Sequence, residues 1–400
     1  MGGKEIGVRS DVFFTFYFLL STLYFLFSGE AYKGDQLFLK RIITKNFRNL
    51  FDNELNFDSK INIFVGENGA GKTNLLEAIY FLGILKSFRT SEDRQLIKFG
   101  QTDFYLNGEI WKNNTTLEIN ILFTNNLKKV KINNKPLTRI IDLIGELKVI
   151  VFSPQDLNII KGAPAIRRRF MDIELSQTSP KYLYNLQRYL KIIRQRNQTL
   201  SFLKKNMKCD ITELEVWNEQ LIETGIEIIK KRKELIDSLN PLINEVYPQI
   251  SGQPQELKIK YRPCVVEEDF RKTQKNKQED EIRQEVTLVG PHRDDISFYI
   301  NDVEARYFAS QGQQRTITIC LKLARVQNIY QQTQEFPILL LDDVTSELDK
   351  NRRQALLNFI PDQTQVFITT TDLHDLNPDF VKDACIFKIR QGEINERAAN

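Results

Sequence analysis

The stretch Ile61-Asn62-Ile63-Phe64-Val65-Gly66-Glu67-Asn68-Gly69-Ala70-Gly71-Lys72-Thr73-Asn74 decides the fold of this 400-residue chain. An apolar run leads into a glycine-rich loop, and Asn74-Leu75-Leu76-Glu77-Ala78-Ile79-Tyr80 leaves it with helical spacing. Strand, loop and helix in this order are the context in which a G-x-x-x-x-G-K-T loop binds nucleotide phosphates. The stretch therefore predicts an α/β fold built around a phosphate site.

The loop residues have separate expected roles. Glycines let several backbone N–H groups converge on phosphate oxygens at a helix N-terminus, where the helix dipole favours negative charge. Lys72 is placed to bridge the β- and γ-phosphates, and the Thr73 hydroxyl to ligate Mg²⁺. The predicted cofactors are ATP and Mg²⁺. The predicted nucleotide contacts of the loop are Gly66, Glu67, Asn68, Gly69, Ala70, Gly71, Lys72, Thr73 and Asn74.

A second apolar run, far along the chain, ends in two carboxylates: Pro337-Ile338-Leu339-Leu340-Leu341-Asp342-Asp343. In a parallel sheet the carboxyl end of such a strand faces the ligand crevice. We expect Asp342 to lie on the metal side, and Asp343 to be the base that orients the attacking water. The nucleotide site is thus split along the sequence, which predicts a large insertion between its halves.

A third motif, Ser310-Gln311-Gly312-Gln313-Gln314-Arg315, precedes an apolar helix expected over Thr316–Ile329. A serine hydroxyl and a glycine N–H at a helix N-terminus suit a phosphate. The predicted contacts are Ser310, Gly312 and Gln313. Serine is also a favoured N-cap residue, so the motif alone fits an ordinary helix start equally well.

Composition limits the alternatives. The chain has 56 Lys and Arg against 52 Asp and Glu, and a net charge of +4 does not by itself indicate nucleic acid. Four widely spaced cysteines and two histidines do not suggest a zinc site or a disulfide framework, which favours a cytoplasmic location. The length predicts two domains or one domain with a large insertion.

The first residues do not match this pattern. Val12–Phe27 is an apolar run of about 24 Å as a helix, shorter than the roughly 30 Å hydrocarbon core of a membrane. It resembles the apolar region of a signal peptide. Export would separate an ATP-dependent protein from its nucleotide. We therefore expect residues 1–36 to be an extension outside the fold, with a real anchor as the alternative.

The remaining chain divides into three predicted parts. Residues 37–165 form the N-terminal part of an ATPase head, 166–284 a helical lobe and short arm, and 285–400 the C-terminal part of the head. Alternating patterns in the first part predict a strand over Leu37–Arg48, a flanking antiparallel layer and a buried strand. The layer is expected at Phe104–Ile110, Thr116–Phe123 and Val130–Ile132, and the buried strand at Leu147–Phe152.

The middle part has apolar residues at steps of three and four. Two stripes, Leu183–Leu200 and Leu214–Leu235, predict antiparallel helices of roughly 30 Å joined near Asn206–Asp210. Val266–Gln284 is charged and predicts a solvated helix or mobile loop. Glu285–Val289 is expected to return to the core as a strand.

The order of the motifs resembles the ATPase heads of the ABC superfamily: phosphate loop, Ser-x-Gly-Gln-Gln, apolar strand with Asp-Asp, then Ser346-Glu347-Leu348-Asp349. The resemblance implies that Ser310 contacts the γ-phosphate bound by a second subunit, where it takes part in catalysis with Lys72 and Asp343. It also implies an ATP-dependent homodimer with two composite sites.

Within that superfamily the chain is similar to the RecF family of bacterial recombination mediators, which have SMC-like heads. The similarity covers essentially everything after Leu37. The motifs that carry it are Phe47-Arg48-Asn49, Lys86-Ser87-Phe88-Arg89-Thr90, Pro154-Gln155-Asp156-Leu157, Arg167-Arg168-Arg169-Phe170 and Gly290-Pro291-His292-Arg293-Asp294-Asp295. The fold class implied is an ABC-type α/β head with a mixed sheet, a flanking antiparallel layer and an inserted, mainly helical lobe.

The resemblance implies an ATP-dependent DNA-binding protein that dimerises on duplex DNA near single-strand gaps, with gapped, single-stranded and duplex DNA as its ligands. It implies partnership with RecO and RecR in loading RecA, support of replication-fork recovery and SOS induction, and slow, DNA-stimulated ATP hydrolysis. Arg48 would contact the nucleotide, and Gln155 would sense the metal and water.

The predicted DNA contacts cluster where the helical lobe leaves the head. Such basic groups neutralise phosphates independently of sequence, although a solvated helix face is the alternative for each. They are Arg167, Arg168, Arg169, Arg188, Lys191, Arg194 and Arg196.

Two other functions remain open from the sequence. The apolar run Val12–Phe27 supports the nucleotide-binding subunit of an ABC membrane transporter. A related overcoming-lysogenization-type or phage-defence ATPase would share the head motifs.

Overall fold

The structure, a computed structural model, describes residues 37–205, 212–344, 348, 350–376 and 378–397. The predicted extension over residues 1–36, the connection Asn206–Asp210, and Ser346, Glu347 and Asp349 lie outside the described residues.

The strands, in chain order, are β1 Phe38–Lys45, β2 Asn53–Asn56, β3 Ile61–Val65, β4 Asp103–Lys112, β5 Thr115–Thr124, β6 Leu127–Ile132, β7 Lys135–Pro136, β8 Val149–Phe152, β9 Leu257–Arg262, β10 Asp295–Ile300, β11 Val303–Glu304, β12 Ile338–Leu341, β13 Val366–Thr370, β14 Ala384–Arg390 and β15 Glu393–Arg397. The helices are α1 Lys72–Ile84, α2 Leu157–Lys161, α3 Pro164–Thr178, α4 Pro180–Lys205, α5 Thr212–Ser251, α6 Phe270–Gln284, α7 Ala305–Phe308, α8 Gln311–Thr333, α9 Lys350–Asn358 and α10 Pro378–Lys382.

A mixed six-stranded sheet forms the centre of the head, in the order β15-β14-β3-β13-β12-β8. All neighbours are parallel except β14 and β15. Alternate residues of β12 enter two different cores: Leu339 and Leu341 face one, Ile338 and Leu340 the other. Burial on both faces explains why this strand is a continuous apolar run without polar alternation.

The flanking antiparallel layer is confirmed. A second six-stranded sheet has the order β2-β1-β4-β5-β6-β7, and one of its faces packs with α1 and the central sheet. Its hairpins turn at pairs of asparagines with positive φ, such as Asn113 and Asn114. Asparagine tolerates this left-handed backbone better than most residues. The Asn-rich turns in the sequence therefore fixed where the strands end.

The inserted part is mainly helical, as expected, and its two long helices are antiparallel. Thr199 contacts Glu213 near one end of the pair, and Lys181 meets Glu227 towards the other. The helices are longer than the predicted 30 Å. Helix α4 has 26 residues and α5 has 40, or about 39 Å and 60 Å. Part of α5 also packs on α8, so the insertion rests against the head.

One of the two predictions for the end of the insertion is wrong. Glu285–Val289 is not a strand, because the Asn197 side chain accepts hydrogen bonds from the backbone N–H and hydroxyl of Thr287. The preceding charged segment forms the helix α6, which agrees with one of its two predicted alternatives, although this helix is not solvated along its whole length. Phe270 and Glu281 are buried, and Glu281 forms an ion pair with Arg196. Charged residues can be buried in this way when they are paired.

A small three-stranded sheet was not predicted. Its order is β11-β10-β9, so it joins the residues that flank α6 in sequence. Within the described residues, no helix has both the length and the apolar character needed to cross a membrane.

Candidate functional site

The candidate site lies where four adjacent parallel strands end. The phosphate loop follows β3, Thr369 and Thr370 end β13, Asp342 follows β12, and Ser153 follows β8. Carboxyl ends of neighbouring parallel strands share one edge of a sheet, which is where ligands of open α/β sheets bind. The fold thus brings together the two halves of the site that the sequence separates.

The phosphate loop needs glycine at two positions. Gly71 has φ 116°, a left-handed conformation that disfavours other residues, and it forms the N-cap of α1. A Cβ atom at Gly66 would collide with the carbonyl oxygen of Ile389. Glu67, Asn68 and Gly69 are exposed on the loop, whereas Ala70, Gly71 and Lys72 are buried. The loop and the N-terminus of α1 therefore form a pre-shaped phosphate cradle.

The side chain of Lys72 folds back over its own loop. Its ammonium donates hydrogen bonds to the carbonyl oxygens of Gly66, at 2.5 Å, and Glu67, at 3.0 Å. Burial lowers the pKa of Lys72, while the nearby carboxylates of Asp343 and Asp342 oppose this shift. A phosphate group here would give the ammonium a full negative partner in place of two carbonyl dipoles.

Thr73 and Asp342 meet directly. The Thr73 hydroxyl donates to Asp342 Oδ1 at 2.7 Å, and the Thr369 hydroxyl donates to the same oxygen at 3.1 Å. Burial raises the pKa of Asp342, and these two hydrogen bonds oppose the rise. A hydroxyl and a carboxylate are the hard oxygen ligands that Mg²⁺ prefers, and a cation would offset the cost of burying this charge. Thr73 and Asp342, two of the three predicted metal residues with Gln155, therefore fit the ion.

Asp343 has a strained backbone. Its φ is 52°, in the left-handed region, and its N–H donates to Thr369 Oγ1 at 2.8 Å. A non-glycine residue in this region costs of order 1–3 kcal/mol and is common at functional sites. This φ places Asp343 outside the extended conformation of β12, directly after Asp342. This geometry suits two separate roles, with Asp342 as the carboxylate on the metal side and Asp343 as the base.

A second layer of polar groups holds the loop. Asn49 Nδ2 donates to the carbonyl oxygen of Gly69, and Asn49 Oδ1 accepts from Asn74 Nδ2 at 2.6 Å. Arg89 donates to Asn74 Oδ1, also at 2.6 Å. The predicted nucleotide residue Asn74 is thus bonded within the protein and positions the loop through Asn49.

Arg48 was predicted as a nucleotide contact, but its guanidinium is directed elsewhere. It donates two hydrogen bonds of 2.9 Å to the carboxylate of Glu77 and one to the carbonyl oxygen of Gln95. Glu77 is fully buried in α1 and also accepts a hydrogen bond from Ser87. In this structure Arg48 compensates a buried charge, and its role as a nucleotide contact stays a prediction.

Ser310 is the N-cap of α8. Its hydroxyl accepts from the Gln313 N–H at 3.2 Å, and Gln313 Oε1 accepts from the Ser310 N–H at 2.9 Å. This reciprocal capping box satisfies two helix-terminal donors. Ser310 is exposed, and Gly312 is partly exposed beside it. The structure is therefore compatible with both interpretations of the motif. Ser310 is an ordinary cap, and it also presents a hydroxyl and a helix N-terminus to solvent.

Gln155 lies in the turn Pro154–Asp156 that follows β8, at the same sheet edge as Asp342, and it is exposed. Asp156 fixes this turn. One carboxylate oxygen accepts from the Ser153 N–H at 2.7 Å, and the other lies 2.8 Å from the buried ammonium of Lys322. The turn is thus attached to α8, the helix that Ser310 begins.

Two predicted DNA contacts are corrected. Arg167 is 2% exposed and pairs with Asp295 at 2.6 Å, and Arg196 is fully buried between Glu281, Asn218 and Thr287. Neither guanidinium can reach a phosphate in this arrangement. Both lie in basic clusters of the sequence, and a basic cluster does not reveal which side chains turn inward.

The other candidates lie nearer the surface. Arg168 and Arg169 donate to the backbone carbonyls of Asp294 and Ser87, which occupies part of their hydrogen-bonding capacity. Arg188, Lys191 and Arg194 lie on α4, where Lys191 and Arg194 are exposed and Arg188 is partly exposed. These three remain available to a negatively charged ligand.

Thr369 and Asn49 were missed from the sequence. Thr369 ends the apolar run Val366-Phe367-Ile368, so a polar residue at the end of a buried strand was the available signal. Asn49 follows the first strand of a different sheet, and no local pattern connects it to the phosphate loop.

Comparison with known proteins gives a consistent result. The family model for the RecF/RecN/SMC N-terminal domain matches residues 38–390. A DNA replication and repair protein RecF from Lactobacillus johnsonii is 44% identical over 372 residues, covering 90% of this chain and all of the relative. Its counterpart from Bacillus cereus is 40% identical over 369 residues, covering 90% of this chain and 98% of the relative.

Solved structures of RecF show the same similarity. The recombination mediator protein RecF with ATP, described in the RecFOR pathway, superposes with a TM-score of 0.85 at 34% identity, over 92% of this chain and 99% of that one. An Smc head from Pyrococcus furiosus, at 15% identity and a TM-score of 0.52, shares the fold alone.

Proposed function

Because this chain belongs to the RecF family of DNA replication and repair proteins, we propose that it is an ATP-dependent DNA-binding protein of recombinational repair. In this proposal ATP drives dimerisation on duplex DNA near single-strand gaps. Slow, DNA-stimulated hydrolysis then releases the protein. The ATPase-head fold and the ATP-bound structures of relatives support ATP as the nucleotide.

One observation carries the dimer proposal. Thr73 and Asp342 form one half of a nucleotide site, whereas Ser310 presents its hydroxyl at an exposed helix N-terminus. Two large aromatic side chains next to Ser310 are also exposed, Tyr307 by 68% and Phe308 by 75%. Exposed apolar groups beside a polar motif are typical of an interaction surface. A second copy would cover them while Ser310 completes its nucleotide site.

The proposed catalytic roles follow from the site. Lys72 and the loop N–H groups would hold the phosphates, and Thr73 and Asp342 would hold Mg²⁺, which neutralises phosphate charge when bound. Gln155 is proposed to report metal and water occupancy through the turn fixed by Asp156. Asp343 would orient the attacking water, and its side chain is shorter by one methylene than a glutamate, which supports slow hydrolysis.

The cellular part of the proposal rests on family membership. We propose a cytoplasmic protein that works with RecO and RecR to load RecA, and that supports replication-fork recovery and SOS induction. The same membership does not favour the transporter subunit or the phage-defence ATPase as functions of this chain.

The test is the ATP-dependent mass of the full chain, measured by light scattering with and without gapped DNA. We expect a monomer without nucleotide, a dimer with ATP and Mg²⁺, and a dimer–DNA complex when gapped duplex is added. The Lys72→Ala variant is the nucleotide-dead control and should stay monomeric. A wild-type protein that remains monomeric with ATP and gapped DNA, and does not bind that DNA, would refute the proposal.

A further inference from the structure

A cavity of about 250 Å³ lies beside the turn Pro154–Asp156, where the head meets helix α3. Its walls come from α1, β8, α3 and α8, and among the described residues that line it there is none from the phosphate loop and no Asp342. The cavity is smaller than most clefts that hold drug-sized molecules, so a ligand that fits it must be small. It is separate from the nucleotide site, although the same turn borders both.

Two buried side chains of the cavity have hydrogen-bond donors to spare. Tyr80 is 3% exposed, and its hydroxyl has no hydrogen-bond partner in the described part of the chain. Burial raises the pKa of Tyr80 to about 12, which keeps the hydroxyl proton in place as a donor. Lys322 is 4% exposed and contacts the Val151 carbonyl oxygen at 2.7 Å and Asp156 Oδ1 at 2.8 Å. An ammonium has three donors, so one N–H of Lys322 remains.

The edge of the central sheet adds a third donor. Strand β8 is the last strand of the sheet, and the carbonyl oxygens of Lys148 and Phe152 accept hydrogen bonds from residues around β12. Val151 therefore directs its N–H and C=O to the opposite side, where Lys322 takes the carbonyl oxygen. The N–H of Val151 has no acceptor within the described ranges. Unpaired buried donors are costly, and an acceptor group that enters the cavity would remove this cost.

The cavity also has an excess of positive charge. The cationic side chains of its lining are Arg89, Arg169, Lys322 and Arg325. Asp156 is the carboxylate found among the described lining residues. Two further acids lie behind the lining: Glu174 pairs with Arg325 at 2.5 Å, and Glu77 lies 3.6 Å from Arg89. Three carboxylates thus face four cations, which favours an anionic acceptor over a neutral one.

The rest of the lining is apolar. Phe88 and Phe170 contribute aromatic rings, and Val149, Ile159 and Ile173 contribute aliphatic side chains. An inorganic anion would use the donors and leave these apolar surfaces in contact with water. A carboxylate carried on a compact apolar body would use both parts of the lining, because burial of apolar surface is favourable.

We propose that this cavity binds a small organic acid. Its carboxylate accepts hydrogen bonds from the Tyr80 hydroxyl, the Lys322 ammonium and the Val151 N–H, and its apolar body packs against Phe88 and Ile173. Because α3 belongs to the inserted part and the other walls belong to the head, the bound acid bridges the two parts. The proposal depends on neither DNA binding nor dimerisation, so it stands or falls separately from the proposed function.

The test measures binding of 4-fluorophenylacetate to the full chain by the broadening of its ¹⁹F NMR signal. ADP and Mg²⁺ are present throughout, so that the nucleotide site is filled. We expect saturable binding, and binding at least about fivefold weaker for 4-fluorophenylacetamide, which has nearly the same shape without the charge. Equal binding of the acid and the amide would overturn an anion site. Absence of saturable binding by the acid would overturn the proposal as a whole.

Two variants locate the binding site. Tyr80→Phe keeps the ring and removes the hydroxyl, and it should weaken binding of the acid at least about threefold. The matched control is Tyr247→Phe, because Tyr247 is also fully buried with an unpartnered hydroxyl but does not line the cavity. It should bind like wild type.

A second pair of variants tests access to the cavity. Ile166 lines it and is 37% exposed, so Ile166→Trp should obstruct entry and abolish most of the binding without disturbing the core. Leu190→Trp makes a similar change at another exposed position, on α4, and should have no effect. Circular dichroism checks that all four variants fold. If Tyr80→Phe and Ile166→Trp both bind the acid like wild type, the acid binds elsewhere and the proposal is rejected.

Discussion

The hydroxyl of Thr73 lies 2.7 Å from Asp342 Oδ1, although the two residues are 269 positions apart in sequence. The contact joins the N-terminal and C-terminal parts of the head at the edge of the central sheet. Both oxygens are proposed ligands of the same Mg²⁺. Nucleotide binding should therefore depend on metal through this pair.

Replacing Thr73 by valine tests this dependence. The substitution keeps the branched shape and removes the hydroxyl, so the affinity for ATP in the presence of Mg²⁺ should fall by about tenfold or more. Affinity for ATP in EDTA should change little. Thr73→Ser retains the hydroxyl and should behave like wild type. Equal loss with and without Mg²⁺, measured with a fluorescent ATP analogue, would contradict the metal role.

Asp343→Asn should reduce the rate of ATP hydrolysis by about 100-fold, because an amide is a poor base. Asparagine tolerates the left-handed backbone observed here, so nucleotide binding should persist and residence on DNA should lengthen. Asp302 offers a matched control, since it is exposed and also has positive φ, at 64°. Asp302→Asn should not change turnover. Unchanged turnover in Asp343→Asn would exclude it as the base.

Ser310→Arg should leave ATP binding by the monomer intact and prevent ATP-driven dimerisation. A bulky cation at the exposed helix N-terminus would obstruct the surface proposed to meet a second copy. Ser310→Ala is the control for loss of the hydroxyl, which removes the cap, worth about 1 kcal/mol of helix stability, together with the proposed contact to the partner's nucleotide. Sedimentation of both variants should therefore distinguish the effect of the bulky arginine side chain from the effect of losing the hydroxyl. An ATP-dependent dimer of Ser310→Arg would argue against the composite site.

Arg48→Ala should destabilise the protein by about 3 kcal/mol or more, because it leaves the buried Glu77 carboxylate without its two-pronged partner. Arg41→Ala removes partly exposed pairs with Glu54 and Glu109 and should cost less than Arg48→Ala. Urea unfolding measures both. If Arg48→Ala unfolds like wild type but binds ATP weakly, its principal role is nucleotide contact and not compensation of Glu77.

Stability should depend on pH through His292. Its Nδ1 lies 2.8 Å from the Tyr189 hydroxyl and its Nε2 3.0 Å from the Thr287 carbonyl oxygen. Burial lowers the pKa of His292 to about 4, assisted by the nearby Arg293, Arg168 and Arg196 charges. The unfolded chain, with an ordinary pKa near 6.5, then binds more protons between these values.

The free energy of unfolding should therefore fall as pH drops from about 6.5 to about 4, by up to about 3 kcal/mol from this group. His292→Gln should show a weaker dependence over this window in denaturant titrations. His374, the other histidine, is exposed, and His374→Gln should retain the wild-type dependence. Identical pH profiles for His292→Gln and wild type would contradict the assignment.

Local patterns predicted much of the architecture. The β3–loop–α1 unit, the antiparallel layer, both long helices and β12 follow from apolar periodicity, glycine placement and Asn-rich turns, which act over a few residues. The strand predicted at Glu285–Val289 failed because Asn197, from a distant helix, supplies hydrogen bonds that a neighbouring strand would otherwise provide. No local pattern records a partner that is 90 positions away.

The sequence by itself determined the chemistry expected of the nucleotide site, since the phosphate loop and Asp342 have residue types and a spacing that suit phosphate and metal binding, whereas Ser310 fits both a helix cap and a phosphate contact. Tertiary structure alone decided which of the basic side chains remain available to a negatively charged ligand. Arg167 and Arg196 turn inward to the carboxylates of Asp295 and Glu281, whereas Arg188 and Lys191, on the same basic stretch, lie nearer the surface. Burial of a charge depends on whether a distant opposite charge arrives beside it, and chain packing determines this after the local pattern is set.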